Sequence, residues 1–321
     1  MSKLFKGLVA ASLLGLAGMS QAASWPERAV QWVIPYPAGG GSDVIGRLVA
    51  SGLEKSLGQT VVVENKPGAA TIIGASFVQA AKPDGYVVGT ADSGTLAFNP
   101  SLYSSLQYDP AKFTYVGGLA RFPLMLAVKD DSPFKSLDDV LEAARKEPGK
   151  LTSASAGAGS PHHLALEMFK QRAGVNITHV PYKGAAPALQ DILGGQVSLG
   201  FVDSAAAQSN IKAGKLRVLA VATPKRIDLL PNVPTMAEAG VQNFTAYAWQ
   251  GLVGPAGLPA EVVDKLSADL QAVLKSSDVA TKIRAMGVEP LPMTASDFKA
   301  YAEAQRGEWA DVIKKAGIKL D

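Results

Sequence analysis

Residues 29–58 read AVQWVIPYPAGGGSDVIGRLVASGLEKSLG, and the fold is decided there. Ala29–Tyr36 is an apolar, β-branched-rich run that ends at Pro37, the pattern of a buried strand. Pro37-Ala38-Gly39-Gly40-Gly41-Ser42 is a glycine loop. Val44, Ile45, Leu48, Val49, Leu53 and Leu57 then recur at helical spacing, and Gly58 stops the helix. A strand, a loop of small residues and a helix form the opening unit of an α/β sheet.

The rhythm continues outward. Thr60–Glu64 reads as a second strand, Asn65–Gly68 as a turn, Ile72–Ala81 as a helix and Tyr86–Ala91 as a third strand. After Lys135 helices are expected at Leu137–Lys146, His162–Ala173, Ala185–Leu193 and Ala205–Lys212. They alternate with strands at Leu151–Ser155, Ile177–Val180, Leu199–Val202 and Leu216–Ala222. Such alternation predicts mostly parallel sheets covered on both faces. The rhythm breaks twice. Phe113–Val128 holds two strand-like runs separated by Arg121-Phe122 and Pro123, and Ala246–Val253 is an isolated strand after the Pro-rich stretch at 231–234. From Pro259 onward no clear strand is expected, only helices marked by Val262, Leu266, Leu270, Val273 and Leu274 and by Phe298, Ala302 and Trp309.

The economical reading is α/β with two lobes. Residues 23–124 plus 250–321 form lobe 1 and residues 125–249 form lobe 2. Extended segments near Leu124–Val128 and Ala246–Gly251 cross between them as a hinge, leaving a ligand cleft between the lobes. The length of 321 residues, 47% of them hydrophobic, suffices for two cores.

Residues 1–22, MSKLFKGLVAASLLGLAGMSQA, read as a cleaved signal peptide. Lys3 and Lys6 precede a short uncharged apolar stretch, and Ser20-Gln21-Ala22 offers a small-x-small cleavage site. The apolar stretch is well short of the ~20 residues of a membrane span. The mature chain is expected in the periplasm of a bacterium-like cell. The chain has no Cys, which excludes disulfides and thiolate chemistry, and its three His leave little for a multi-histidine metal site. A net charge of +3 offers no basic field for nucleic acid. No cofactor is expected.

The loops after the strands carry the functional clue. They are PAGGGS at 37–42, PGAAT at 67–71, DSGT at 92–95, AGAGS at 156–160, YKGA at 182–185 and DSAA at 203–206. Most feed directly into a helix. Loops of this kind present backbone N–H groups and hydroxyls at helix N-termini, a setting for an anion. Each loop alone could simply end a strand and cap a helix; six together favour binding.

Rival chemistries fit less well. PAGGGS lacks the Gly-Lys-Ser/Thr of a phosphate-binding P-loop, G-x-G-x-x-G fails at Val44, and there is no G-x-S-x-G elbow. Ser160 near His162 and His163 raises a hydrolase, but both His lie in the first turn of a helix, where capping or packing is the commoner role. A metal held by His162, His163, His179 and Asp203 conflicts with the divergent directions of adjacent helical His. Asp43 reads as a first-turn acid. Lys183 could pair with an anion or be a solvated helix-start residue, and Asp203 could accept from a ligand or cap a helix.

At this point the chain resembles the periplasmic solute-binding receptors of tripartite tricarboxylate transporters, the Bug or TctC-like family. The resemblance runs through the mature chain. It rests on Tyr36–Asp43, Val63–Ala69 (VENKPGA), Pro83–Tyr86 (PDGY), Gly159–Leu164 (GSPHHL) and Val180–Gly184 (VPYKG). Gly194–Val197, Ala213–Arg217, Pro231–Thr235 and Gly254–Pro259 (GPAGLP) extend it. It implies a two-lobed periplasmic-binding-protein fold that closes on a small carboxylate (a dicarboxylate, tricarboxylate, amino acid or aromatic acid) and hands it to the membrane permease subunits of a transporter. It implies a non-enzymatic protein, expected as a monomer. The contacts it implies in lobe 1 are Tyr36, Pro37, Ala38, Gly39, Gly40, Ser93 and Thr95. In lobe 2 they are Ser155, Gly159, Ser160, His162, Tyr182, Lys183, Asp203 and Ser204. Ala70 and Thr71 stand where a second Gly and an Asn are common in the family, and consecutive His162-His163 is less usual. The alternative is an exported hydrolase or transferase acting on small organic acids on the same scaffold. It would need a nucleophile and a base at hydrogen-bond range.

Overall fold

The first strand, β1 (Val30–Ile34), is buried on both faces. Trp32 and Ile34 pack beneath α1 (Gly41–Leu57) against Ile45, Val49 and Leu53, while Val33 faces the opposite core. Close packing of α1 on β1 needs Gly46, where a Cβ would come within 2.4 Å of Ile34. Helix α1 ends at Gly58 in the left-handed conformation, φ 66°. Parallel partners flank β1: β2 (Val61–Asn65) on one side and β3 (Val87–Asp92) on the other. Helix α2 (Ile72–Gln79) covers the second face. The computed structural model describes residues 25–321, so the signal-peptide reading of residues 1–22 lies outside the described residues.

After β3 the chain winds at once into a π-helical turn, Gly94–Phe98, and a short α3 (Asn99–Leu102), where a loop was expected. Strand β4 (Thr114–Lys129) then runs 16 residues without a break, correcting the expectation of two runs interrupted near Pro123. Pro123 is tolerated because its missing N–H points to an edge that has no partner there. On that side β10 (Glu289–Pro290) pairs with Ala120 and Arg121, and β7 (Leu199–Asp203) begins its pairing only at Leu124. Strand β10 is also a correction, since no strand was expected beyond Pro259.

The ten strands form a mixed sheet in the order β2-β1-β3-β9-β4-β7-β5-β6, with β10 and β8 also on β4. Parallel pairing holds on the flanks, including β5 (Thr152–Ser155) with β6 (Thr178–Pro181) and with β7. The crossing region is antiparallel instead: β9 (Tyr247–Gly254) pairs with β3 and with Thr114–Pro123 of β4, while Leu124–Lys129 pairs with β7 and β8 (Leu216–Val221). Where one set gives way to the other, Leu124, Ala222 and Ala246 exchange backbone hydrogen bonds.

Helices α4 (Leu137–Lys146), α5 (Pro161–Ala173), α6 (Ala185–Gly194) and α7 (Ser204–Lys212) accompany the second set of strands. Helices α8 (Ala260–Lys275), α9 (Ser277–Ala285) and α10 (Ala295–Ala316) return to the first. Helix α10 bridges the two, since its Trp309 and Val312 share a core cluster with Phe169 of α5 and Phe201 of β7. The result is an α/β, two-lobed periplasmic-binding-protein fold. Strands β1, β2 and β3 run in the direction of β4, whereas β5, β6 and β7 run against it, so the C-terminal ends of the two sets face each other. Among the described residues no helix is long and apolar enough to cross a membrane.

Candidate functional site

The loop after β1 leads the first set. Pro37–Gly40 is exposed, and Gly39 takes φ 81°, which glycine adopts without steric cost. Gly40 is the N-cap of α1, and no side chain caps that helix. The free N–H groups of the first turn therefore stay available to an anion. Asp43 is turned back into its own loop. Its carboxylate accepts from the Gly39 N–H at 2.9 Å, from Arg47 at 3.0 Å and from Asn65 at 2.9 Å. Burial pushes the Asp43 carboxyl up, but these donors outweigh it and hold it below its ordinary range. Asp43 thus fixes the loop rather than repelling a ligand.

Tyr36 and Thr95 belong to a hydrogen-bond network centred on Asp92 under that loop. The Tyr36 hydroxyl donates to Asp92 Oδ2, and Asp92 Oδ1 accepts from the Thr95 N–H at 2.8 Å and the Thr95 hydroxyl at 2.7 Å. Burial and the Asp92 charge raise the Tyr36 pKa well above its ordinary value, so the hydroxyl keeps its proton. Thr71 Oγ1 lies 2.8 Å from Thr95 Oγ1. Beside it Ala69, Ala70 and Thr71 all take positive φ, 44°, 48° and 75°, a region that Gly and Asn adopt at least cost. Ser93 is fully buried and its Oγ has no partner among the described residues. Ser42, in the first turn of α1, donates to Oε1 of Gln250 on β9; the Gln250 Nε2 is buried and has no partner among the described residues. Gln250 was not among the residues singled out from sequence, though a polar residue within a buried strand is a signal that could have found it.

The second set is built on α5 and α7. Ser160 caps α5 by accepting from the His163 N–H at 3.3 Å. Gly159, φ 75°, packs against Leu102 and Leu320, and its N–H donates to His163 Nδ1 at 3.0 Å. Ser155 lies 2.6 Å from His179 Nε2. His162 is buried; its Nε2 is 3.3 Å from Asp203 Oδ2, and its Nδ1 has no partner among the described residues. Asp203 caps α7 by accepting from the Ala206 N–H at 2.8 Å. Burial raises the Asp203 carboxyl, but His162 and the Ala206 N–H hold it below its ordinary range. His162 and Asp203 line a cavity of about 10 Å³ with Ala156, Leu189, Phe201 and Ala206, room for about one water.

Of the remaining expected contacts, two have hydroxyls engaged within the protein and one is exposed. The Tyr182 hydroxyl donates to Asp191 at 2.6 Å, a hydrogen bond that pushes its pKa up to about 12. Lys183 is exposed. Ser204 is fully buried, and its hydroxyl donates to the Gly287 carbonyl across from the end of α9. The arrangement offers backbone N–H groups and a few unpartnered polar atoms at facing loop ends.

Comparison with known proteins identifies the family. The model of the tripartite tricarboxylate transporter family receptor matches residues 45–318. Protein BugT of Bordetella pertussis is 33% identical over 311 residues, covering 95% of this chain and 94% of that protein. The solved structure of Rpa4515 of R. palustris with adipate superposes with a TM-score of 0.84 at 38% identity, covering 92% of this chain and 100% of that one. MatC from Rhodopseudomonas palustris with bound malate gives 0.79 at 31% identity, covering 90% and 100%. With a family match across most of its length and the fold shared by such neighbours, the chain belongs to the receptor family of the tripartite tricarboxylate transporters.

Proposed function

We propose that this chain is an exported periplasmic receptor that captures a small carboxylate between its lobes and delivers it to the permease subunits of a tripartite transporter. The carrying observation is the uncapped N-terminus of α1, fronted by the exposed loop Pro37–Gly40, with the nearby Asp43 tied back. Charge-assisted hydrogen bonds contribute about 1.5–3 kcal/mol each, and a helix N-terminus up to about 2 kcal/mol. Three or four such bonds reach the ~8 kcal/mol of micromolar affinity without a salt bridge. Adipate and malate in the related structures support the ligand class. The export signal in residues 1–22 and the family's role support location and delivery.

In this reading residues 23–124 plus 250–321 move as one lobe and 125–249 as the other, about β4 and the start of β9. The contacts are the loop backbone at Pro37–Gly40, with Ser93, Ser155, Gly159, Ser160, His162, Asp203 and Ser204 as lining. Tyr36, Thr95 and Tyr182 act as supports.

One observation bears on the enzymatic alternative. Ser155 and His179 are at the range of a nucleophile and its base. Burial, with His163 beside it, lowers the His179 pKa to about 4, which makes it a poor base at neutral pH, and Ser155 is buried. The receptor reading is therefore preferred. Calorimetry of the mature protein against a panel of small acids tests it, with the recovered compound checked by mass spectrometry. Saturable binding with the acid returned unchanged is expected; conversion of the acid overturns it.

A further inference from the structure

Gln250 is 2% exposed, at the centre of the sheet, opposite Asp92 of β3 and Ala120 of β4. Its neighbour Trp249 packs on Phe298 and Tyr301 of α10. Alternation along β9 therefore sends Gln250 to the other face, the face covered by α1. There Ser42, in the uncapped first turn of α1, donates to Oε1, which ties the amide oxygen to that turn. Among the described residues nothing accepts from Nε2. Leaving a buried amide donor unpaired is costly, and native structures rarely do so without a reason. The adjacent acceptor, Asp92, is already engaged by Tyr36 and Thr95. The donor is left with no acceptor among the described residues.

We infer that Gln250 is a specificity-determining ligand contact: its Nε2 donates to a carboxylate oxygen of the solute seated at the N-terminus of α1, with Ser42 holding the amide in that orientation. The inference rests on the receptor reading above and adds a side chain to a site otherwise made of backbone. It also predicts that the site separates an acid from its amide. A carboxylate presents acceptors to Nε2 and to the helix N–H groups, whereas a carboxamide NH₂ turned to the same place opposes donor to donor.

Q250E is the discriminating variant. It keeps an acceptor for the Ser42 hydroxyl and replaces only the donor with a second acceptor. Adipate, malate and adipamide are titrated calorimetrically into the mature wild-type protein and into Q250E, with circular dichroism confirming the fold. Wild type is expected to prefer an acid over adipamide. Q250E is expected to lose at least about a hundredfold for that acid and to reverse the preference toward adipamide, which a merely structural role would not do. Q250L, of similar size and without the donor, is expected to lose about tenfold for the acid, and it decides the matter should Q250E not fold. Folded Q250E or Q250L binding the acid as wild type does overturns the assignment and leaves the receptor reading standing. Wild-type protein that binds adipamide and neither acid overturns the carboxylate reading and the assignment with it.

Discussion

His163 of α5 and His179 of β6 lie stacked face to face, ring centroids 3.7 Å apart and 9° from parallel. The pair sits under the Ser155–Ser160 loop and holds it at both ends: His163 Nδ1 accepts from the Gly159 N–H, and His179 Nε2 meets the Ser155 hydroxyl. Both rings must be neutral to do so comfortably. Burial first, then Lys170 for His163 and His163 and Lys170 for His179, lower both pKa values to about 4. Glu167, 3.8 Å from His163 Nε2, is itself engaged by Lys170 at 2.8 Å.

The pH consequence follows. In the unfolded chain each His takes a proton near pH 6.5, while in the folded protein it resists until about pH 4. Stability is therefore full above pH 6.5 and falls as pH drops from 6.5 toward 4, by at most about 3 kcal/mol for His163 and less for the half-buried His179. Urea titrations between pH 7.5 and 4 should show that slope. His163→Asn keeps an acceptor for Gly159 and removes one titrating ring, so its stability curve should be flatter over the same window. A wild-type stability that stays level down to pH 4.5 contradicts the account.

A second prediction concerns Ala70. Its φ of 48° places an L-residue in the left-handed region, where the cost is about 1–2 kcal/mol relative to glycine. Ala70→Gly should stabilise the protein by about 1 kcal/mol after the added entropy of the unfolded chain is subtracted. Calorimetric scans should show the melting temperature raised by about 2–4 °C, the response of a chain somewhat shorter than this one. A lowered melting temperature would mean that the methyl group packs productively.

What the sequence made legible was whatever depends on neighbours in the chain. The apolar runs of β1, β2 and β3, the spacing of α1 and the limits of α4 all follow from local pattern. Pro123 misled because its tolerance depends on which edge of β4 lacks a partner, set by β10 and β7 far away in sequence. Helix α9 was missed because its nine residues bury only Val279, Ala280 and Ile283. At the site, the loop glycines could be read directly, but the commitments of side chains could not. The Tyr36 hydroxyl meets an aspartate 56 residues on, and Ser42 meets Gln250 across 208. Only the folded sheet brings those groups together, so the chain alone did not show that the Tyr36 and Tyr182 hydroxyls donate to Asp92 and Asp191.

A third prediction compares backbone with side-chain recognition. At Gly39 a Cβ meets no protein atom within 4 Å, so a substitution there fails through conformation and not through collision with the protein. The φ of 81° is strained for any L-residue and worst for a β-branched one. Gly39→Val should reshape the Pro37–Gly40 loop, displace the N–H groups and abolish carboxylate binding, while the melting temperature falls only slightly because the loop is exposed. Lys183→Ala removes an exposed charge and should weaken binding by at most about tenfold, roughly 1.4 kcal/mol. Titration of both variants with one acid separates the models: binding lost with Lys183→Ala and kept with Gly39→Val would make a salt bridge the main contact.

The last prediction concerns closure. Ser204 opens α7 in the second set of strands, and Gly287 follows α9 in the first, so their hydrogen bond ties the two together beside the crossing strands. Ser204 is fully buried, and a Cβ on Gly287 would approach its side chain at 3.1 Å, so the contact is tight. Ser204→Ala removes the donor and leaves the Gly287 carbonyl to find water or none, a loss of about 1–3 kcal/mol. If lobe closure makes this bond, the cost falls on the closed state alone. Affinity for the bound acid should then drop by about 5- to 150-fold, mainly through faster release, while the melting temperature without ligand stays near that of wild type. If the bond persists in the open state, the opposite split appears, with a lower melting temperature and unchanged affinity. Stopped-flow release rates and ligand-free thermal scans on the same variant distinguish the two, and the second result would remove Ser204 from the closing mechanism.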